Sequence, residues 1–177
     1  MALVNNTLDK LLDAIQAVLE ADLQGILDDD NTEMGWSLVA PRTYLKGQQA
    51  KVVHAKTPAL FLWCNLEQIA PRSQGSGDHE CQVVFSLAIG ASDVKSGADP
   101  NDLYNAIVRY GSRIMLVLQE DINELDATST LRAVGAWRMV DGVSFWQPLI
   151  HGSTTSSQYG TAQFTAKFTQ RRATTRS

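Results

Sequence analysis

Two cysteines, Cys64 and Cys81, occur in 177 residues, too few to found a disulfide scaffold. No run approaches the roughly 18–20 continuous apolar residues of a membrane span, so no membrane association is expected. The opening Met1-Ala2-Leu3-Val4-Asn5-Asn6 lacks the basic region and apolar stretch of a secretory signal. The expectation is therefore a reducing cytosol in which both thiols are packed rather than bridged. Basic charge is in deficit, with 15 Lys and Arg against 19 Asp and Glu and a formal charge of −4. That balance disfavours broad, sequence-blind nucleic-acid binding.

Signals for chemistry are equally sparse. His54, His79 and His151 stand at no metal-ligand spacing from one another, from a cysteine or from a helical carboxylate. Gly75-Ser76-Gly77 and Gly90 lack the strand–loop–helix spacing and the lysine of a phosphate cradle. No Gly-x-Ser-x-Gly elbow occurs. Asp28-Asp29-Asp30-Asn31 lacks the glycine and distal glutamate of a calcium loop and reads as a solvated helix terminus. Cys64 with His79 is the sole candidate catalytic couple, and nothing supplies an orienting third group. We expect no cofactor, no metal and no enzymatic activity.

What is present describes a folded protein. Hydrophobic residues make up 44% and charged residues 19%, and the length suits one domain around one core. Leu8, Leu11, Leu12, Ile15, Val18, Leu19, Leu23, Ile26 and Leu27 recur at helical spacing. This predicts an amphipathic helix over 8–27, capped near Asn6 or Thr7 and stopped by the Asp28–Asn31 run. The polar stretch 28–57 reads either as short strands near 36–40 and 50–54 or as a projecting loop. Ala59–Ile69 and Glu80–Ala91 read as strands of a hairpin turning through Pro71–Gly77. A register pairing Cys64 with Cys81 sets Leu62 opposite Val83 and Leu60 opposite Phe85. The same register places His79 opposite Leu66, near Cys64. Phe61 and Trp63 fall on the other face and require a second cover.

Asp99-Pro100-Asn101-Asp102 opens a second helix with a capping aspartate and a proline at the first position. Leu103, Ala106, Ile107, Tyr110, Ile114, Val117 and Leu118 form its apolar stripe, with Arg109 and Arg113 on the wet or partner-facing side. Leu131–Val140 and Val143–Ile150 flank Asp141-Gly142, a two-residue hairpin signal that would set Trp137 opposite Trp146. Ala162, Phe164, Ala166 and Phe168 alternate with polar residues in a last strand, followed by a frayed tail over 171–177. The fold class is α+β: a mixed or antiparallel sheet of about four to six strands carrying two main helices in a single domain.

Charge is segregated along the chain. Residues 1–33 hold eight acids (Asp9, Asp13, Glu20, Asp22, Asp28, Asp29, Asp30, Glu33) against Lys10 alone. Residues 160–177 hold Lys167, Arg171, Arg172 and Arg176 and no acid. These runs read either as solvated surface or as surfaces that meet head to tail in an assembly.

The order helix, hairpin, helix, hairpin and final alternating strand resembles the tail-terminator, or tail-completion, proteins of tailed bacteriophages. The residues carrying the resemblance are the Leu8–Leu27 helix, Thr57-Pro58-Ala59-Leu60-Phe61-Leu62, the helix opened by Asp99-Pro100, and Phe164–Arg172. The long 28–57 stretch and the tryptophan hairpin depart from that pattern. The resemblance implies a virion structural protein at the tail–neck junction, assembled in host cytoplasm. It would form a ring, a homo-hexamer by preference, that caps the tail tube, stops its elongation and joins it to the head. Its partners would be further copies of itself, the tail-tube protein and a neck or head-connector protein, with genome DNA only passing through the lumen. Candidate interface residues are Asp28, Asp29, Asp30, Phe61, Trp63, Arg109, Arg113, Lys167, Arg171 and Arg172. The alternatives are another neck ring protein, of head-completion or stopper type, and a small cytosolic enzyme around Cys64 and His79.

Overall fold

A computed structural model of the protein describes residues 7–47, 57–71, 78–95, 100–123, 128–142, 149–152 and 158–171. The elements in order are α1 (Leu8–Met34), β1 (Thr43–Lys46), β2 (Ala59–Pro71), β3 (Asp78–Gly90), α2 (Ala91–Val94), α3 (Pro100–Asn123), α4 (Thr130–Ala133), β4 (Ala136–Gly142), β5 (Leu149–His151) and β6 (Tyr159–Arg171). The strands form one six-stranded mixed sheet in the order β1-β2-β3-β6-β4, with β5 also paired to β6. β1 runs parallel to β2, and the other pairings are antiparallel. This is the α+β architecture expected from the sequence.

One face of the sheet carries the core. Leu60 and Leu62 of β2, Val83, Phe85 and Leu87 of β3, and Phe164, Ala166 and Phe168 of β6 pack with the apolar sides of α1 and α3. Phe85 and Phe164, paired across β3 and β6, stack with parallel rings at a centroid distance of 5.0 Å. The alternation of β6 from Gly160 to Phe168 produces this face, because successive side chains of a strand point to opposite sides.

The β2–β3 hairpin keeps its predicted face but not its predicted register. Leu62 lies opposite Phe85, Leu60 opposite Leu87 and Cys64 opposite Val83. The slip is two residues, so no side chain changes face. An irregularity between Asn65 and Ala70 takes up the extra length of β2, a constraint that composition does not announce. The turn at 72–77 lies outside the described residues.

Two further expectations are corrected. Asp141-Gly142 does not reverse the chain: Asp141 pairs with Ala166 and Gly142 with Thr165 inside β4. β4 and β5 run in the same direction along one side of β6, so they are not partners in a hairpin. The long β6 offers a continuous ladder, and pairing to it outweighs the local turn preference. Trp146 lies outside the described residues. The segment read as the start of a strand at Leu131 is instead α4. Ser129 Oγ accepts from Arg132 N, and the Asp121 carboxylate accepts from the backbone N–H groups of Thr130 and Leu131.

α1 also runs seven residues past its predicted stop. At 27 residues it spans ~40 Å and ends at Gly35, whose φ of 65° is the left-handed conformation that favours glycine. Aspartates near a helix C-terminus are unfavourable to the dipole. Here α3 supplies cations to offset them, as described below. From Gly35 to Lys46 the chain is held against the helices, and the strand expected near 36–40 forms instead at Thr43–Lys46 as β1. The Asn31 side chain bonds both the N–H and the C=O of Leu38, and Gln24 Oε1 accepts from Ala40 N. Tyr110 Oη donates to Val39 O, and Trp36 and Leu38 are buried. Residues 48–56 lie outside the described residues, as does the tail from 172.

Candidate assembly surface

The candidate interface residues divide into three groups. Asp30, Arg109 and Arg113 are engaged within the chain. Asp30 is 1% exposed on α1, and Arg113 of α3 donates to both of its oxygens, Nη2 to Oδ1 at 2.7 Å and Nε to Oδ2 at 2.8 Å. Arg109 Nη1 reaches Asp30 Oδ1 at 3.1 Å and Glu33 Oε2 at 2.8 Å, and its guanidinium stands 5.8 Å from the Trp36 ring centroid. The paired guanidinium groups hold the Asp30 carboxyl below its usual range, the Arg113 hydrogen bond contributing most, and Arg109 does the same for Glu33. Spacing of four between the arginines, one helical turn, puts both on one face of α3 and toward α1. The sequence marked that face but not its partner.

Phe61 and Trp63 form the second group. Phe61 is 3% exposed on the sheet face opposite the helices, and Trp63 is half-buried. The third group is exposed. Asp28 and Asp29 stand on the outer side of α1, Lys167 on the outer face of β6, and Arg171 at the end of β6, where its Nε lies 3.8 Å from Asp78 Oδ1. Arg172 lies outside the described residues.

The strand β4 contributes surface residues that sequence reasoning missed. Trp137, Val140 and, on β5, Leu149 are 36%, 43% and 50% exposed. Among the described residues, β4 and β5 pair on one side only, to β6. Val140 lies directly opposite Lys167, and Arg138 opposite Thr169, so Arg138, Val140 and Lys167 share the face turned away from the helices. The signal was available in the alternation of β4, but the Asp141-Gly142 turn reading set Trp137 opposite Trp146 as a cross-strand pair.

The candidate catalytic couple does not assemble. Cys64 is opposite Val83 and His79 opposite Pro71, four residues apart along β3 or ~13 Å. Both thiols are free, and burial pushes Cys64 up to about 11 and Cys81 to about 12. Among the described residues no group of His, Cys, Asp and Glu is placed to hold a metal ion. No helix among them is long and apolar enough to cross a membrane. No protein-family model matches the chain, and no curated protein matches it.

Proposed function

We propose that the protein is a phage virion structural component, a tail terminator that forms a ring on the tail tube, stops its elongation and joins the tail to the neck. The observation that carries this reading is the sheet edge of β4 and β5, which among the described residues pair on one side only and leave Trp137, Val140 and Leu149 exposed. An edge strand with apolar side chains is a template for pairing or for cover by another chain, and monomeric proteins blunt such edges. A ring needs a heterologous contact between two unlike patches. The chain has such a pair in its acidic α1 and in the cations of its last strands. The order of elements, two helices on one face of a mixed sheet ended by a long strand, supports the same reading.

Cys81 is buried and Cys64 half-buried, and the raised pKa of each weighs against the rival enzyme reading, because the thiolate is the nucleophile. A different neck ring protein, of head-completion or stopper type, differs in the partner bound rather than in the physics of closure. The test is direct. Purified protein is added to polymerising tail-tube protein and the tubes are measured by electron microscopy. Shortened tubes bearing extra density at one end support termination. Tubes of unchanged length with bare ends contradict it.

A further inference from the structure

The described surface is electrically polarised across its two layers. On α1, Asp9, Glu20, Asp22, Asp28 and Asp29 are exposed, while Arg109 neutralises Glu33 and Lys46 pairs with Asp13; Lys10 is the one cation of the helix itself. On the opposite side of the domain, Arg138, Lys167 and Arg171 are exposed around Val140. Two carboxylates, Asp78 and Glu80, neighbour that corner on β3. The acidic ridge also offers close approach. Ala17, Ala21 and Gly25 are exposed at four-residue spacing, and a Cβ added to Gly25 would meet nothing within 4 Å.

We infer that the β4 edge, with Trp137, Arg138, Val140 and Lys167, is the docking surface for the acidic ridge of α1 on a second copy of this chain. This rests on the ring reading and names its contact. Charge complementarity selects the occupant: an apolar strand edge flanked by cations fits a helix whose outer side is acidic and, at its centre, nearly free of bulk. The contact is heterologous, so each copy presents both halves and the chain of contacts closes on itself when the rotation permits. Covering a strand edge with a helix also removes the hazard of uncontrolled edge-to-edge pairing.

The experiment compares three full-length proteins by native mass spectrometry at low ionic strength, alone and with tube protein. One carries Asp28→Lys and Asp29→Lys, and another carries Arg138→Glu and Lys167→Glu. Each alone meets like charge across the contact, and its self-association is expected to weaken about tenfold or more. Mixed in equal amounts, the two alternate with opposite charges at every contact, and assembly returns. Recovery on mixing also shows that both variants are folded. Assembly by the natural sequence that neither reversal disturbs, or that mixing does not restore, overturns this surface and leaves the ring standing. Reversal at Arg138 and Lys167 that blocks tube binding but not self-association assigns the edge to tube protein and likewise overturns it. A natural sequence that never assembles, even with tube protein, removes the ring reading itself.

Discussion

Gly160 of β6 sits directly beneath Ile107 of α3, with no room for a side chain between strand and helix. A Cβ at Gly160 would run into Ile107 Cδ1 and stand 3.0 Å from its Cγ1 and 3.3 Å from Ile150 Cδ1. Ile107 is fully buried, so it has little freedom to move aside. Gly160→Ala is therefore expected to destabilise by about 1–3 kcal/mol. Adding Ile107→Val, which removes Cδ1, should recover part of that loss. Denaturant titration of the four members of the cycle measures the coupling; simple additivity would contradict the contact.

The Asp30 network predicts an acid limit for the pairing of α1 with α3. Its carboxyl is held below the ordinary value of 3.8, chiefly by the Arg113 hydrogen bond. A depressed carboxylate contributes stability that is full above its unfolded value and is lost as pH falls through its folded one. The loss should therefore fall below pH ~4. Asp30→Ala is expected to cost about 2–3 kcal/mol at neutral pH, less than a fully enclosed pair because the guanidinium groups keep part of their surface in water. The same variant should show a flatter loss of stability as pH falls below ~4. Parallel pH curves for natural and altered protein would contradict the network.

The fold class, the two long helices, the inward faces of β2, β3 and β6 and the start of α3 were legible in the sequence, because periodicity is local. The misreadings share one cause. Asp141-Gly142 is a strong local turn signal, yet β6 is long enough to pair with both β4 and β5, and that ladder is not local. Asp28–Asn31 reads as a helix stop until Arg109 and Arg113, some 80 residues on, are seen to neutralise Asp30. The candidate surface was harder still. Charge segregation was visible, but which acids face outward depends on Asp30 turning inward while Asp28 and Asp29 do not.

Thiol chemistry offers a separate check. With Cys64 pushed up to about 11 and Cys81 to about 12 by burial, neither holds appreciable thiolate near pH 7–8. Alkylation followed by mass spectrometry should be slow in native buffer and rapid for both in denaturant. Rapid native labelling of either residue would contradict this desolvated environment.

Ionic strength should distinguish the two components of the proposed contact. Exposed charge pairs are screened as the Debye length falls from ~10 Å at 0.1 M to ~3 Å at 1 M, whereas apolar cover is not. Assembly is expected to loosen with salt while Trp137→Ala weakens it at every ionic strength. Salt-independent assembly, measured by light scattering, would assign the contact to the apolar edge alone.

The most direct measurement is the mass of the species formed by the full chain at rising concentration, without and with tail-tube protein, by native mass spectrometry. The account predicts a closed homo-oligomer of defined copy number, six by preference, stabilised by the tube. A monomer under every one of these conditions would contradict it.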